Sequence, residues 1–204
     1  MKTLIVAKTH MSDAACVGGM VYTSGQSVRL LQADGSNHPK DTDYEVGTVW
    51  ELEFEPRSDP IPPHIEDVLV ARRRYLGPQS RMAVFLSSKI EPWKGDPQHL
   101  FNGLIRFTQN GSGYICRRVG VPNCSTGYWI PDRPLVRITN NHKVRYQCES
   151  NLSNVCITYV GFAPSVDRIE AGTLVRVSLA RWWTPPDSPD MEERCYLQLS
   201  GWYI

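Results

Sequence analysis

Hydrophobic and polar residues alternate along many short segments of the chain, and turn-forming residues separate the segments at intervals of about 8–12 residues. The clearest alternation is near the C-terminus, where Cys195, Leu197 and Leu199 are interleaved with Tyr196 and Gln198. A period of two, in segments rich in β-branched and aromatic residues, predicts β-strands. The pattern as a whole predicts a mostly β protein of about ten short strands.

The last two alternating segments, residues 171–183 and 194–203, predict a long β-hairpin. The intervening residues 184–190 contain three prolines, which remove backbone donors and end both strands. Within the first segment the alternation slips between Val175 and Val177.

The other predicted strands are spread over the whole chain. They are residues 3–7, 16–22, 26–31, 44–54, 65–75, 104–107, 114–118, 127–130, 135–139, 143–147 and 156–162. Gly25 is expected to supply a positive φ in one hairpin, and Asn140-Asn141 suits a tight turn in another. Gly18-Gly19 inside a strand indicates a bulge or a close backbone approach. The segment 65–75 is also compatible with a short helix.

One segment has helical rather than strand periodicity. Met82, Phe85, Leu86 and Ile90 form a single apolar stripe, with Ser80 as the expected N-cap. Pro92 is expected to end this helix. A strand group, one short bridging helix and a second strand group predict two small barrels, in residues 1–92 and 93–204, the second with an irregular insert. A boundary as late as residue 133 fits the pattern too.

Composition excludes little. The formal net charge is only +1, so any nucleic-acid-binding surface must be local. The apolar run Leu4–Ala7 is too short for a signal peptide or a membrane span. Six cysteines without an export signal predict free thiols in a reducing, cytoplasmic compartment.

Several segments together resemble a prokaryotic family, the dual OB-containing domain. They are residues 5–10 (IVAKTH), 16–19 (CVGG), 62–67 (PPHIED), 174–183 and 196–202. The resemblance covers nearly the whole chain. It implies two oligonucleotide/oligosaccharide-binding (OB) barrels that hold single-stranded nucleic acid, in an accessory component of an antiviral defence or mobile-element system. It implies no catalytic residue.

Basic residues interleaved with aromatic ones are the candidate nucleic-acid site. OB barrels contact phosphates through Arg and Lys while bases stack on aromatic rings. The predicted phosphate contacts are Arg137, Arg145, Arg176 and Arg181, and the predicted stacking residues are Tyr146, Trp182 and Trp183. Other basic candidates are Arg72–Arg74 beside Tyr75, Arg117, Arg118, Arg133 and Lys143. The alternative is that the charges are solvated and the tryptophans lie in the core.

Catalytic and metal-binding patterns are weak. In an extended segment His64 and Glu66 point the same way and offer two ligands to a divalent metal, the basis of a nuclease alternative. Four cysteines, Cys116, Cys124, Cys148 and Cys156, are spaced too widely for a typical structural zinc site. No phosphate-cradling loop or nucleophile elbow is present. We therefore expect no enzyme activity, no cofactor and no membrane association.

The sequence therefore predicts a non-catalytic protein that binds nucleic acid, single-stranded rather than duplex, without strong sequence preference. The alternative is a protein–protein adaptor that docks onto a nuclease or helicase partner. Salt dependence separates the two, because phosphate contacts release counterions and an apolar interface does not.

Overall fold

The computed structural model describes residues 1–140, 143–149, 154–185 and 190–204. The protein is mostly β, with 51% of the described residues in strands and 7% in helices. It divides into two compact units: residues 1–61, 65–91 and 204 form the first, and residues 62–64 and 92–203 form the second. The division lies next to the expected boundary at residue 92, and the short segment Pro62–His64 is grouped with the second unit.

The first unit is a closed five-stranded barrel. Its elements are β1 (Lys2–Met11), β2 (Ala14–Val21), β3 (Ser27–Leu31), β4 (His38–Pro39), β5 (Thr48–Pro56), β6 (Asp67–Pro78) and α1 (Met82–Ser87). The strands pair in the ring β1–β2–β3–β6–β5–β1, and only the β3–β6 pair is parallel. This is the Greek-key ring of an OB-fold.

The core of the first barrel follows from the predicted alternation. Its buried residues are Ile5, Val17, Val21, Val28, Leu30, Tyr44, Trp50, Leu52, Val68 and Val70. The pairing register shifts between Ile5 and Ala7 of β1, opposite Gly19 and Gly18 of β2. A Cβ on Gly19 would lie 2.8 Å from the Cγ2 of Thr3. The glycine pair therefore marks both a bulge and a close approach, as predicted.

The helix is shorter than its apolar stripe suggests. It begins after Arg81, which adopts a left-handed conformation at φ 52° and makes no side-chain cap. The expectation that Ser80 caps the helix is therefore wrong, because the left-handed Arg81 lies between Ser80 and the first residue of the helix. Leu86 is buried, and the ring of Phe85 lies 4.3 Å from that of Tyr22.

A buried histidine gives the first barrel a pH-dependent stability. Burial lowers the pKa of His38 from its usual 6.5, and the charge of Arg73 lowers it further. The unfolded chain therefore binds a proton that the folded chain does not, so the free energy of unfolding falls as pH drops through 6.5 towards the lowered pKa. One such proton gives a slope of at most about 1.4 kcal/mol per pH unit.

We expect His38→Gln to flatten this part of the pH profile, measured by urea unfolding between pH 7.5 and 5 at intervals of about half a unit. His10→Gln, at an exposed histidine, is the matched control for the exchange of an imidazole for an amide. A His38→Gln profile parallel to that of the wild type would contradict the assignment.

The second unit carries more and shorter elements. They are β7 (Trp93–Lys94), a 3₁₀ helix (Pro97–Gly103), β8 (Arg106–Phe107), β9 (Gly113–Cys116), β10 (Thr126–Ile130), β11 (Leu135–Asn140), β12 (Lys143–Glu149), β13 (Asn154–Tyr159), β14 (Arg168–Ile169), β15 (Leu174–Leu179) and β16 (Arg194–Tyr203). The two-residue strands β7 and β14 were not predicted, because so short a segment has no periodicity.

The second unit repeats the OB ring with its first strand interrupted. β10 pairs with β15 and β11 pairs with β12, and the chain between them carries Pro131 and Pro134. The path then runs β12–β13–β16–β15, with β13 and β16 parallel. β10 and β11 together therefore take the place that β1 has in the first barrel. β9 pairs with the start of β16.

The predicted C-terminal hairpin is confirmed. β15 and β16 pair antiparallel from Leu174↔Tyr203 to Leu179↔Leu197, and the register shifts between Arg176 and Val177, where the alternation slips. The predicted turn at Asn140-Asn141 lies partly outside the described residues. The same is true of the proline-rich connection between β15 and β16.

The core of the second unit surrounds Trp129. Its indole is fully buried, and its Nε1 donates to the carbonyl oxygen of Gly95 at 2.8 Å. A Cβ on Gly127 would lie 2.2 Å from the Cζ3 of Trp93, so only glycine allows that ring to pack against β10. In the described part of the chain, no helix has the length and apolarity needed to cross a membrane.

Candidate nucleic-acid interface

The strands β12, β13 and β16 place a row of polar side chains on the outside of the second barrel. Tyr146 and Cys148 of β12 are fully buried, so the alternating residue Arg145 points outward. Arg145 pairs with Thr158 of β13, which pairs with Gln198 of β16. Neighbouring strands are about 4.8 Å apart, so this row spans about 10 Å.

The row continues along β16 to an exposed tryptophan. Tyr196 and Arg194 share the outer face with Gln198, since Cys195 and Leu197 are in the core. The backbone of Arg194 exchanges two hydrogen bonds of 3.0 Å with Trp183, which lies in the connection between β15 and β16. In OB-folds the face of the second and third strands and this connection bind oligonucleotides. We call Arg145, Thr158, Gln198, Tyr196 and Trp183 the outer row.

Aromatic rings gather at the end of the outer row. The ring of Trp183 lies edge-on to that of Tyr196 at 6.0 Å, and Tyr114 of β9 lies 6.2 Å from Tyr196. Trp183 is 48% exposed, whereas Tyr114 is buried. The indole of Trp182 donates from Nε1 to the carbonyl oxygen of Pro62 at 2.8 Å. Trp183 is therefore the ring of this group with the largest free face.

Two guanidinium groups lie over these rings. Arg194 is 4.1 Å from the ring centre of Tyr114, and Arg117 is 4.4 Å from that of Trp182. Arg117 also pairs with Glu193 at 3.6 Å. Arg194 also pairs with Glu192 at 3.8 Å, so each guanidinium has both an aromatic ring and a carboxylate beside it.

Two of the predicted site residues are buried and cannot contact a nucleic acid in this structure. Tyr146 is fully buried, and its hydroxyl donates to the carbonyl oxygen of Val166 at 2.7 Å. A base cannot stack on an enclosed ring. Arg176 is only 5% exposed and lies with Tyr128 and Tyr203, so it cannot reach a phosphate. Burial raises the pKa of Tyr128 to about 12.

The other predicted residues differ in availability. Arg145 and Trp183 are both in the outer row. Arg137 is paired with Asp167 at 2.5 Å and also donates to the hydroxyl of Ser165 at 3.1 Å. Arg181 and Trp182 are half-buried beside Trp183. The structure therefore brings together Arg181, Trp182 and Trp183, and it separates them from the buried Arg176 and Tyr146.

Tyr196 and Gln198 were missed as site residues, although the sequence carried the signal. Their alternation with Cys195, Leu197 and Leu199 places them on one face of the last strand. That pattern shows which residues of the last strand share a face, but it does not show which side chains of neighbouring strands lie beside them. The pairing of β16 with β13 is parallel and distant in sequence, so only the structure shows that Gln198 lies beside Thr158.

The arginine run of β6 is neutralised by carboxylates. Its ion pairs are Arg72–Glu53 at 3.7 Å, Arg73–Asp43 at 2.6 Å and Arg74–Glu51 at 2.6 Å. All six side chains are exposed, and such pairs contribute little to stability. Their matched charges nevertheless make this surface a poor phosphate-binding site.

The metal alternatives find little support in their surroundings. His64 is buried, and its Nε2 lies 3.1 Å from the carbonyl oxygen of Leu179, to which it donates. Within the described ranges, no group of three or more His, Cys, Asp or Glu residues is arranged to hold a metal ion. Cys116 and Cys148 are buried, and none of the six cysteines forms a disulfide in the structure.

A closed five-stranded Greek-key barrel and a second unit with the same strand order define a protein of two OB-like units. The chain belongs to the family of the dual OB-containing domain, whose model matches residues 1–202. No curated protein matches the sequence.

Among solved structures, the chain is similar to the HINa domain of Ifi202 in complex with 20-base-pair double-stranded DNA, with a TM-score of 0.38 and 8% identity over 100% of this chain and 96% of that one. It is also similar to a murine DNA-binding protein bound with double-stranded DNA, with a TM-score of 0.32 and 10% identity over 98% of this chain and 91% of that one. TM-scores and identities this low carry no conclusion about the ligand.

Proposed function

We propose that the protein binds single-stranded nucleic acid on the outer row of the second barrel, without strong sequence preference. The observation that carries the proposal is the continuous row from Arg145 through Gln198 and Tyr196 to the exposed ring of Trp183. It combines a cation, hydrogen-bonding side chains and an aromatic ring on the face that OB-folds use for oligonucleotides.

Each part of the row has its own role in this mechanism. Arg145, with the exposed Lys143 on the same strand, contacts phosphates. Thr158 and Gln198 donate to or accept from phosphate, sugar or base edges. Trp183 and Tyr196 stack bases, and each stacked base contributes about 1–3 kcal/mol. Every base has a stacking face, so recognition is tolerant of sequence.

The length of the row suits a short single strand. It crosses from β12 to β16 over about 10 Å and follows β16 from Gln198 to Arg194 for about 13 Å. The smallest sites on one OB-fold hold about four nucleotides. Bases in a duplex are already stacked on one another and cannot lie on Trp183 without unpairing, which favours a single strand.

The proposed role is binding alone. No catalytic group and no cofactor is part of this mechanism. The predicted place of the protein, as an accessory component of a prokaryotic defence or mobile-element system in the cytoplasm, rests on the family resemblance.

The test is fluorescence anisotropy of labelled single-stranded DNA, single-stranded RNA and duplex DNA at two salt concentrations. We expect tighter binding to the single strands and weaker binding at higher salt. Arg145→Ala should reduce the slope of log K against log salt by about one, because one phosphate contact is lost. Arg74→Ala, at an exposed arginine paired with Glu51, is the control and should leave the slope unchanged. Absence of binding at low salt, or equal binding to duplex, would contradict the proposal.

A protein–protein adaptor is the second candidate, and the charges beside the aromatic rings favour it. Arg117 pairs with Glu193 and Arg118 with Glu192, both at 3.6 Å. Exposed tryptophan and paired charges are typical of an interface anchor and its polar rim. Capture of a nuclease or helicase by the wild-type protein but not by Trp183→Ala, with no binding of nucleic acid, would favour the adaptor.

A further inference from the structure

The first barrel contains a cavity of about 470 Å³ that the outer row of the second barrel does not use. One wall is the segment Val70–Arg73 of β6, and the opposite side is the loop that follows β3, including Gln32, His38 and residues 41–44. Its volume is within the range of small-molecule sites, about 300–1,000 Å³. A cavity of this size accommodates one nucleoside.

The wall formed by β6 is an open strand edge. β3 pairs with β6 at three positions only, from Arg29↔Asp67 to Leu31↔Leu69, whereas β5 pairs with β6 as far as Pro78. From Val70 onward, one edge of β6 therefore has no strand partner in the described part of the chain. Such an edge presents backbone N–H donors and C=O acceptors in alternation.

The floor of the cavity is a neutral, polar aromatic pair. His38 and Tyr44 are buried, and their rings meet edge-on at 5.0 Å. Burial and then the charge of Arg73 lower the pKa of His38, so its imidazole is uncharged at neutral pH. The Nε2 of His38 has no hydrogen-bond partner in the described structure. The floor therefore adds hydrogen-bonding capacity without adding net charge.

The rim carries balanced charges. Arg73 pairs with Asp43 at 2.6 Å and lies 4.8 Å from the ring centre of Tyr44, and Arg72 pairs with Glu53 at 3.7 Å. A free phosphate requires unpaired cations and is repelled by Asp43. A neutral planar ring with donors and acceptors on one edge matches both the balanced rim and the open strand edge.

We infer that this cavity binds a nucleobase, whose hydrogen-bonding edge pairs with the open edge of β6 between Val70 and Arg73. Nucleobases present adjacent donors and acceptors in their plane, the same pattern that a strand edge offers. If the base belongs to a bound nucleic-acid strand, the inference rests on the proposed function. If the base belongs to a free nucleotide, it does not. A free nucleotide supplies the same chemistry.

The experiment is ¹H–¹⁵N NMR of the full-length protein titrated separately with AMP, GMP, CMP, UMP and ribose 5-phosphate. We expect saturable shifts of the backbone amides of residues 70–73 with at least one nucleotide, and none with ribose 5-phosphate. Ala71→Phe fills the cavity from an exposed position of β6 and should weaken this binding at least tenfold. Ala171→Phe, at an exposed alanine of the second unit, is the matched control and should bind as the wild type does.

The outcomes are separable from those of the proposed function. Absence of shifts with all four nucleotides, equal shifts with ribose 5-phosphate, or unchanged binding by Ala71→Phe would each overturn the inference. Shifts of the same amides with a short single-stranded oligonucleotide identify a strand as the source, and shifts with mononucleotides alone identify a free nucleotide. Mononucleotide binding without oligonucleotide binding contradicts the proposed function and supports this inference.

Discussion

Replacing Trp129 with alanine is expected to lower the free energy of unfolding by about 3–5 kcal/mol. The indole is fully buried in the second unit, and its Nε1 donates to the carbonyl oxygen of Gly95 at 2.8 Å. The substitution therefore leaves a cavity of most of an indole and removes a hydrogen bond from a backbone carbonyl. A loss of this size is a large part of the stability of an ordinary domain, about 5–15 kcal/mol.

Urea unfolding followed by circular dichroism measures this loss. Trp183→Ala is the matched control, because it removes the same side chain from a position that is 48% exposed, and it should change the stability by less than about 1 kcal/mol. Trp129→Phe should fall between the two, since it keeps much of the buried ring and loses the Nε1–H donor. Equal losses for Trp129→Ala and Trp183→Ala would contradict the assignment of Trp129 to the core.

The strand pattern of this chain could be predicted because most of its strands have one buried face. β16 is the clearest case: Cys195, Leu197 and Leu199 are buried and alternate with half-buried residues. Even the irregularity of β15 was visible, since the bulge between Arg176 and Val177 coincides with the slip in its alternation. A period of two reports the faces of a strand directly.

The order in which the strands pair in the two units could not be predicted in the same way. Each ring is completed by pairs that are distant in sequence, such as β1 with β5 and β13 with β16. In the second barrel the place of one strand is shared by β10 and β11, on either side of a segment with two prolines. Local periodicity contains no information about such pairing, and the family resemblance supplied the expectation of two OB barrels.

The candidate site was predicted only in part, for a physical reason. Alternation separates the two faces of β12 but does not say which of Arg145 and Tyr146 points inward. Tyr146 does so, since a phenol ring fills the core and Val166 accepts from its hydroxyl. In β15 the residues Val175, Arg176 and Val177 are all buried, so a charged residue gave a misleading indication of an exposed face.

The two barrels have the same strand order but present different chemistry. In the first barrel each arginine of the run 72–74 has a carboxylate partner, and the balanced charges surround a cavity. In the second barrel Arg145 has no ion pair within the described ranges and is followed by an aromatic ring along the outer row. We therefore expect salt-sensitive strand binding on the second barrel, and base binding that depends little on salt on the first.

Replacing Trp183 with alanine is expected to weaken binding of single-stranded DNA and RNA by about 1–3 kcal/mol, roughly 5- to 150-fold in Kd. The ring is the most exposed one of the aromatic group and lies 6.0 Å from Tyr196, so it offers a face on which one base can stack. Stacking is not ionic, so the loss should be the same at low and high salt. This separates it from Arg145→Ala, whose effect shrinks as salt rises.

Trp183→Phe and Trp182→Ala make the test specific. Phenylalanine keeps a stacking face and should restore most of the affinity, whereas an interface anchored by the indole as a whole would not be rescued. Trp182 is half-buried and donates to Pro62, so Trp182→Ala reports on loss of packing near the site rather than on stacking. Unchanged affinity of Trp183→Ala for both nucleic acids would show that the ring is not part of the interface. It would also contradict the outer row as the binding surface, because Trp183 is the residue of the row on which a base stacks.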